Sequence, residues 1–464
     1  MSQPGGRAAG DTGRKHGRIS RVSFPESTKF QLIVVGAGLT GLACAYEAQK
    51  EGLSVAVLEA RTRPGGALHT LGQPGLQLEC GPESLPSSPA LERLLGELSV
   101  EAIPVQERKA FKRNGQWVAY PQGLRPSDPG SYAGMGPLLG LSARLRLQGE
   151  GLVGRGTLED EPVTEFFTRR LGNAAWEVLA PLVREEWGGD PAQLSLRSAY
   201  PALWQAENQH GSLTRARSEL SAAPRVTFAQ GMGTLIDALG KALEGKVPFG
   251  PGQQVAALQR KGAYWRVYTP RGLLEGESVV LACSAPAAAR ILRHINPQAT
   301  ALLNQTPHLP YSSVHLAFAQ EQLPDDPHDV RLWEEAGRFY RLSRTRARFP
   351  ERVEAGFEVL RLDAVGEAAR LSDTALARLA LDQVREQLKL GENARVLHSW
   401  VFRQVGALPQ PTLGHHRRQG LLESALTRLP GVFFAGGPLE QAVANAEQAA
   451  RKASGFLALQ KAEG

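Results

Sequence analysis

A short apolar run from Phe30 to Val35 leads straight into Gly36-Ala37-Gly38-Leu39-Thr40-Gly41, and no other stretch limits the fold of this chain as tightly. The run is rich in β-branched residues and reads as a strand. Leu42 to Lys50 follows with helix formers and small residues. The first glycine allows the tight turn between strand and helix. The second leaves room for a pyrophosphate against the backbone, and the third lets the helix pack close to the strand. Leu53 to Leu58 reads as a second strand closed by Glu59, eighteen residues after Gly41. A carboxylate at that point can accept both hydroxyls of a ribose, so strand, turn, helix, strand and acid together describe a dinucleotide site.

Two further features favour a flavin over a nicotinamide. Ala60, Arg63, Gly65, Gly66 and Thr70 follow Glu59, and the glycine pair permits backbone approach to the rest of a long cofactor. Near the C-terminus, Gly431 to Gly437 reads as another buried strand ending in glycines, followed by an alanine-rich, helix-like segment from Leu439. Such a late strand and helix suits a ribityl chain and ring; an ordinary strand–helix unit of the same sheet is the other reading.

The remaining composition excludes more than it selects. A hydrophobic content of 42% suits a soluble globular enzyme. No run of eighteen apolar residues appears, so no membrane-spanning helix is expected. Cys44, Cys80 and Cys283 lie far apart; Cys44 and Cys283 read as inert core thiols in a reducing compartment, and no metal site is expected. Residues 1–30 carry six Lys/Arg against Asp11 and Glu26, and read as a disordered basic tail without the apolar region of a secretory signal. The rest of the net charge of +7 demands no nucleic-acid partner.

The cofactor signals lie at both ends, so the cofactor domain is expected to be discontinuous. Its parts fall at 30–85, 224–290 and 401–464, after a tail at 1–29. A helical, membrane-like and substrate insertion spans 86–223, and a substrate domain spans 291–400. The expected class is α/β: a discontinuous Rossmann-like unit with an inserted α+β substrate domain and a helical subdomain. Leu138 to Leu152 reads as an amphipathic helix facing the core, with a membrane-surface contact as the sharper alternative. Val163 to Leu179 reads as one helix capped by Thr164.

Residues 30–450 resemble the oxygen-dependent protoporphyrinogen oxidase family of the flavin amine-oxidase superfamily. The resemblance rests on the first site and on Glu79-Cys-Gly81-Pro82-Glu83-Ser84. It rests also on Glu165 to Gly172, Leu182 to Tyr200, and Leu408-Pro409-Gln410-Pro411-Thr-Leu-Gly414-His415. Leu439 to Gln448 departs from the family's glycine-containing C-terminal pattern, and Gln404 stands where many bacterial members have tryptophan. The resemblance implies FAD as cofactor. It implies that Gly36 to Gly41, with Ala37, Gly38, Leu39 and Thr40 between, hold the pyrophosphate. Glu59 would hold the adenosine ribose beside Ala60, and Val255 would pack on adenine. Gly66 and Ala67 would lie near the ribityl chain, Arg63 and Gly65 would also bind the cofactor, and Gly81, Pro82, Glu83 and Ser84 would line the flavin. Gly436 and the turn after it would approach the isoalloxazine, and Ala442 and Val443 would also bind the cofactor.

The implied reaction takes six electrons from protoporphyrinogen IX in three two-electron steps, with dioxygen giving peroxide. It needs no side-chain nucleophile, so no catalytic residue is assigned. A macrocycle with rim carboxylates calls for guanidinium partners. Arg338 and Arg341, in an arginine-rich run that also reads as a solvated surface, and Arg184 near Trp187 are the candidates. Coproporphyrinogen III oxidation, amine oxidation and a non-catalytic flavoprotein remain alternatives. A cytoplasmic location is expected, with peripheral membrane contact and a homodimer left open.

Overall fold

The structure is a computed structural model that describes residues 28–333, 339–391 and 393–463. The basic tail through residue 27, and Arg338, lie outside the described residues.

The chain forms two seven-stranded sheets. The first has the order Phe249–Pro251, Val55–Glu59, Lys29–Val35, Gly272–Leu281, Tyr264–Thr269, Ala257–Lys261. Lys29–Val35 lies at its centre, pairing in parallel with Val55–Glu59 on one side and Gly272–Leu281 on the other. The long strand Gly272–Leu281 changes partner along its length. Its start pairs antiparallel with Tyr264–Thr269, and its end pairs in parallel with the late strand Val432–Phe434. Residues from three distant parts of the chain thus share one sheet.

The central strands are buried on both faces, which is why they read as continuous apolar runs rather than alternating ones. Helix Leu39–Lys50 packs on one face against the C-terminal helix Ala442–Glu463. Ala446, Ala449, Ala450 and Ala453 are all buried at that contact. Small side chains let two helix backbones approach closely, so the alanine richness is a packing feature.

The second sheet has the order His398–Pro409, His308–Ala319, Phe357–Val365, Phe339–Arg344, Val330–Leu332, Lys109–Arg113, Gln116–Ala119. All its pairs are antiparallel except Val330–Leu332 with Lys109–Arg113. Helix Asp373–Leu388 covers one part of it and helix Asn173–Trp187 another.

Two local expectations are corrected. Leu138 to Leu152 is not a core-facing helix: only Leu141–Gln148 is α-helical, and none of its residues is buried. Leu141, Leu145 and Leu152 are 75%, 59% and 92% exposed. Ala143 and Leu147 rest half-buried against the core cluster around Phe166 and Leu171, while Leu141 and Leu145 point away from it. The helix expected from Val163 to Leu179 is two, Val163–Leu171 and Asn173–Trp187, broken where Gly172 takes φ +85°. Thr164 makes no cap; the residue preceding the first turn is Pro162, whose side chain accepts nothing.

Candidate functional site

The carboxyl ends of Lys29–Val35, Val55–Glu59 and Gly272–Leu281 open into a cleft of about 390 Å³. This is the crevice at which open α/β sheets take ligands. The three glycines of the turn do different work. A Cβ on Gly36 would stand 2.4 Å from Ala282 O, and one on Gly41 would stand 1.8 Å from Gly36 O. These two glycines are required by the protein's own backbone. A Cβ on Gly38 would meet only Gly66 Cα, at 3.9 Å. The fold itself does not need a glycine there, so the room beside Gly38 belongs to whatever enters the cleft.

Helix Leu39–Lys50 begins at Gly38 with no side-chain cap and no acid in its first turn. Its free N–H groups and positive end suit an anion. The second glycine pair is tied to this turn, since Gly65 N–H donates to Ala37 O at 2.7 Å. Glu59 is buried, and its carboxylate accepts from Ala37 N–H and Arg61 N–H, both at 2.8 Å. Gln253 N–H donates to Glu59 O at 2.7 Å, which brings the segment around Val255 alongside.

Of the residues singled out from sequence, Gly36, Gly38, Leu39, Thr40, Glu59, Ala60, Gly65, Gly66, Ala67, Val255 and Gly436 line the cleft. Ala37 and Gly41 stand directly behind it as backbone supports. The others do not line it. Ala442 and Val443 are buried in the core between the C-terminal helix and helix Leu39–Lys50, because that helix turns its first apolar residues inward. Arg63 donates to the neighbouring carbonyl of Pro64. Cys283, read as a core thiol, lines the cleft, and burial pushes its thiol up to about 12.

Gly81, Pro82, Glu83 and Ser84 form a loop next to the cleft, held from outside. Gln404 Nε2 donates to Ala67 O at 3.1 Å and to Cys80 O at 3.2 Å, and Gln404 itself lines the cleft. Arg361 donates to Gly81 O at 2.7 Å. Arg225 donates to Ser84 Oγ and to Ser84 O. Glu83 is no lining residue; it anchors a buried web of charges. Its carboxylate meets Arg341 at 2.9 Å and Arg348 at 2.5 Å. Asp363 meets Arg341 at 3.0 Å and Arg361 at 2.8 Å. Glu185 meets Arg341 at 3.2 Å and Lys109 at 2.6 Å, and Glu107 pairs with both Lys109 and Arg348. Burial alone would raise the Glu83 carboxyl, but Arg348, Arg361 and Arg341 outweigh it and hold it well below the usual range.

Arg341 is therefore not a rim arginine: its guanidinium is buried and surrounded by Glu83, Glu107, Glu185 and Asp363. Arg184 lies half-buried in helix Asn173–Trp187, with its Nε buried and unpartnered. Sequence reasoning missed Gln404, Pro409, Pro411, His415 and Arg418 as lining residues. For Pro409, Pro411 and His415 the stretch Leu408 to His415 carried the signal, since it was singled out without being placed. Gln410 Nε2 donates to Trp187 O at 2.9 Å, joining that stretch to the end of helix Asn173–Trp187. Among the described residues no cluster of His, Cys, Asp and Glu is arranged to hold a metal.

A family model described as "Flavin containing amine oxidoreductase" matches residues 39–453. The chain is 26% identical to the coproporphyrinogen III oxidase of Bacillus subtilis (strain 168), over 89% of this chain and 94% of that one. It is 26% identical to the chloroplastic protoporphyrinogen oxidase of Nicotiana tabacum, over 94% of this chain and 88% of that one. Its fold matches a crystal structure from Exiguobacterium sp. 255-15, described as a candidate protoporphyrinogen oxidase. The TM-score is 0.77 at 23% identity, covering 93% of this chain and 99% of that one.

Proposed function

We propose, from the premise that this chain belongs to the flavin containing amine oxidoreductase family and is an FAD-dependent oxidoreductase, that its substrate is a porphyrinogen and its electron acceptor dioxygen. The observation that carries this reading is the near full-length likeness to two relatives whose names both specify porphyrinogen oxidation.

The cleft fits FAD by its own features. Room beside Gly38 is left by the fold, the end of helix Leu39–Lys50 is uncapped, and a buried acid closes the second strand. In this reading the N–H groups after Gly38 hold the pyrophosphate and Glu59 holds the ribose. Val255 backs the adenine, Gly65 to Ala67 border the ribityl chain, and Gly436 borders the ring. When bound, FAD supplies an acceptor for electron pairs that dioxygen can regenerate. The chain's part is to orient the substrate and exclude water. Gln404 and Arg361 fix the carbonyls of Ala67, Cys80 and Gly81 and so keep the ring-side wall rigid. Arg184, whose Nε lacks a partner, is the remaining described candidate for a rim carboxylate among those read from sequence.

Protoporphyrinogen IX, oxidised to protoporphyrin IX in heme biosynthesis, is the proposed substrate. Coproporphyrinogen III is the second reading, favoured by the Bacillus subtilis relative. The flavin-loaded protein is expected to generate porphyrin fluorescence from one porphyrinogen at least tenfold faster than from the other, above a protein-free control and only with dioxygen. Equal, background-level rates with both would end the reading.

No helix among the described residues is long and apolar enough to cross a membrane. The exposed leucines Leu141, Leu145 and Leu152, beside Arg144 and Arg146, support peripheral contact with an anionic bilayer. Replacing all three leucines with serine should abolish flotation with anionic vesicles and leave the melting temperature within about 2 °C, since these three side chains are exposed and Ala143 and Leu147, which face the core, are untouched. Unchanged flotation would remove the membrane from this account.

A further inference from the structure

Gln404 is a cleft residue whose side chain is only half used by the chain. It stands on strand His398–Pro409, opposite Tyr311 of the neighbouring strand, and reaches out of the second sheet to two carbonyls beside the cleft. Nε2 donates to Ala67 O at 3.1 Å and to Cys80 O at 3.2 Å. The fit is close. A Cβ on Gly81 would stand 2.4 Å from Gln404 Nε2, so the glycine makes room for the amide.

A carbonyl oxygen can only accept, so Ala67 O and Cys80 O together settle which end of the amide is nitrogen. Oε1 therefore faces the other way. It accepts no hydrogen bond among the described residues, yet it is not one of the side-chain atoms sealed in the interior. Gln404 is 8% exposed and lines the cleft, so the surface left to it is cleft surface. An acceptor held in place without a partner is ordinarily met by water or a ligand.

The wall segments that Gln404 ties together offer no rival. Gly65, Gly66, Ala67 and Gly81 have no polar side chain, and the Cys80 thiol is buried, which pushes it up to about 12. Arg361, behind Gly81, is spent on Gly81 O, Asp363 and Tyr311. Oε1 is thus a neutral acceptor in a stretch of wall made otherwise of backbone and carbon.

Its place indicates what it meets. With FAD seated as proposed, Gly65 to Ala67 border the ribityl chain, Cys80 and Gly81 belong to the ring-side wall, and Gln404 bridges the two. The ribityl chain leaves the flavin from its central ring. The same ring carries N5, which bears a hydrogen only after the flavin has taken up an electron pair and a proton. Hydrogen bonds to ring nitrogens are a means by which a protein tunes its cofactor.

We infer that Gln404 Oε1 is the acceptor for the N5–H of reduced flavin, and that Gln404 thereby raises the reduction potential of FAD in this protein. A contact made with the reduced form alone shifts the equilibrium towards it; a contact made with both forms changes affinity and leaves the potential where it was. The inference rests on the seating of FAD in the cleft and not on the porphyrinogen reading.

The test uses the full flavin-loaded chain, wild type and Gln404→Met, whose side chain has similar length and no amide. The potential is read anaerobically by equilibration with a reference dye. The equilibrium constant for reduction should fall about tenfold in the variant, a potential lower by about 30 mV for a two-electron couple. Loss of the ties to Ala67 O and Cys80 O alone would weaken oxidised and reduced FAD alike, so an unchanged potential overturns the inference. A second measurement needs no variant. In wild-type protein loaded with nitrogen-labelled FAD and then reduced, the N5–H resonance should lie where a hydrogen-bonded N–H lies; a resonance typical of an unbonded N5–H overturns the inference even if Gln404→Met holds no flavin. Wild-type protein that takes up no FAD would remove the seating of the cofactor and this contact with it, whereas bound FAD with an unchanged potential removes the contact alone.

Discussion

The turn Gly36–Gly41 and the charge web around Glu83 manage charge in opposite ways. The turn offers free backbone N–H groups and a helix end, with no cationic side chain, and leaves space for an anion. The web contains Arg341, Arg348, Arg361 and Lys109, yet protein carboxylates occupy all four. A count of arginines therefore does not measure the capacity to bind an acidic ligand. The turn, which has no cation of its own, is open, and the cation-rich web is closed.

Three experiments press on this contrast. The largest effect is expected within the turn. In Gly41→Ala the new methyl stands 1.8 Å from Gly36 O, and only movement of the turn can relieve it. A loss above about 4 kcal/mol and no flavin-binding protein are expected. Gly38→Ala meets nothing closer than 3.9 Å within the chain. It should melt as the wild-type apo-protein does and bind FAD about tenfold to a hundredfold more weakly, a steric intrusion of roughly 1–3 kcal/mol. Equal behaviour of the two variants in melting and flavin titration would erase the distinction between structural and ligand-facing glycines.

Next comes Arg341→Ala, which strands Glu83, Glu107, Glu185 and Asp363. Removing one partner from a buried set of charges costs about 3–5 kcal/mol. The melting temperature should fall sharply. A variant of normal stability with only a raised KM for the porphyrinogen would return Arg341 to the substrate rim.

The smallest effect concerns pH. The folded Glu83 carboxyl is held below its ordinary value of 4.5 by its arginines. The unfolded chain then takes up protons first on acidification, so this contribution is complete above about pH 4.5 and is lost as pH falls through the lower folded value. Each unit of depression corresponds to about 1.4 kcal/mol. Melting curves from pH 6 to 3 should show this loss in wild type and a shallower one in Glu83→Gln. Parallel curves would show that the web does not titrate as a unit with Glu83.

The same contrast explains what could be read in advance. The cradle was legible because its parts lie within thirty residues and obey backbone rules: strand, tight turn, helix, strand, acid. The late strand Val432–Phe434 was legible for the same reason, although its pairing with Gly272–Leu281 was not. Arg341 was misread because its strand looked like a basic surface run, whereas Phe339–Arg344 is buried throughout its length. Leu141 and Leu145 failed in the other direction, since an apolar stripe carries no information on whether a partner exists to cover it. His415 closed a noticed motif and Arg418 lay three residues past it, and neither could be assigned to the cleft without the helix that carries them.

By itself the sequence determined the dinucleotide cradle and the discontinuous α/β sheet, because glycine spacing and apolar periodicity act over a turn or a strand. Only the tertiary structure decided which charges are spent and which stay free. That outcome depends on burial and on partners delivered from segments hundreds of residues apart, as Glu83 and Arg348 are.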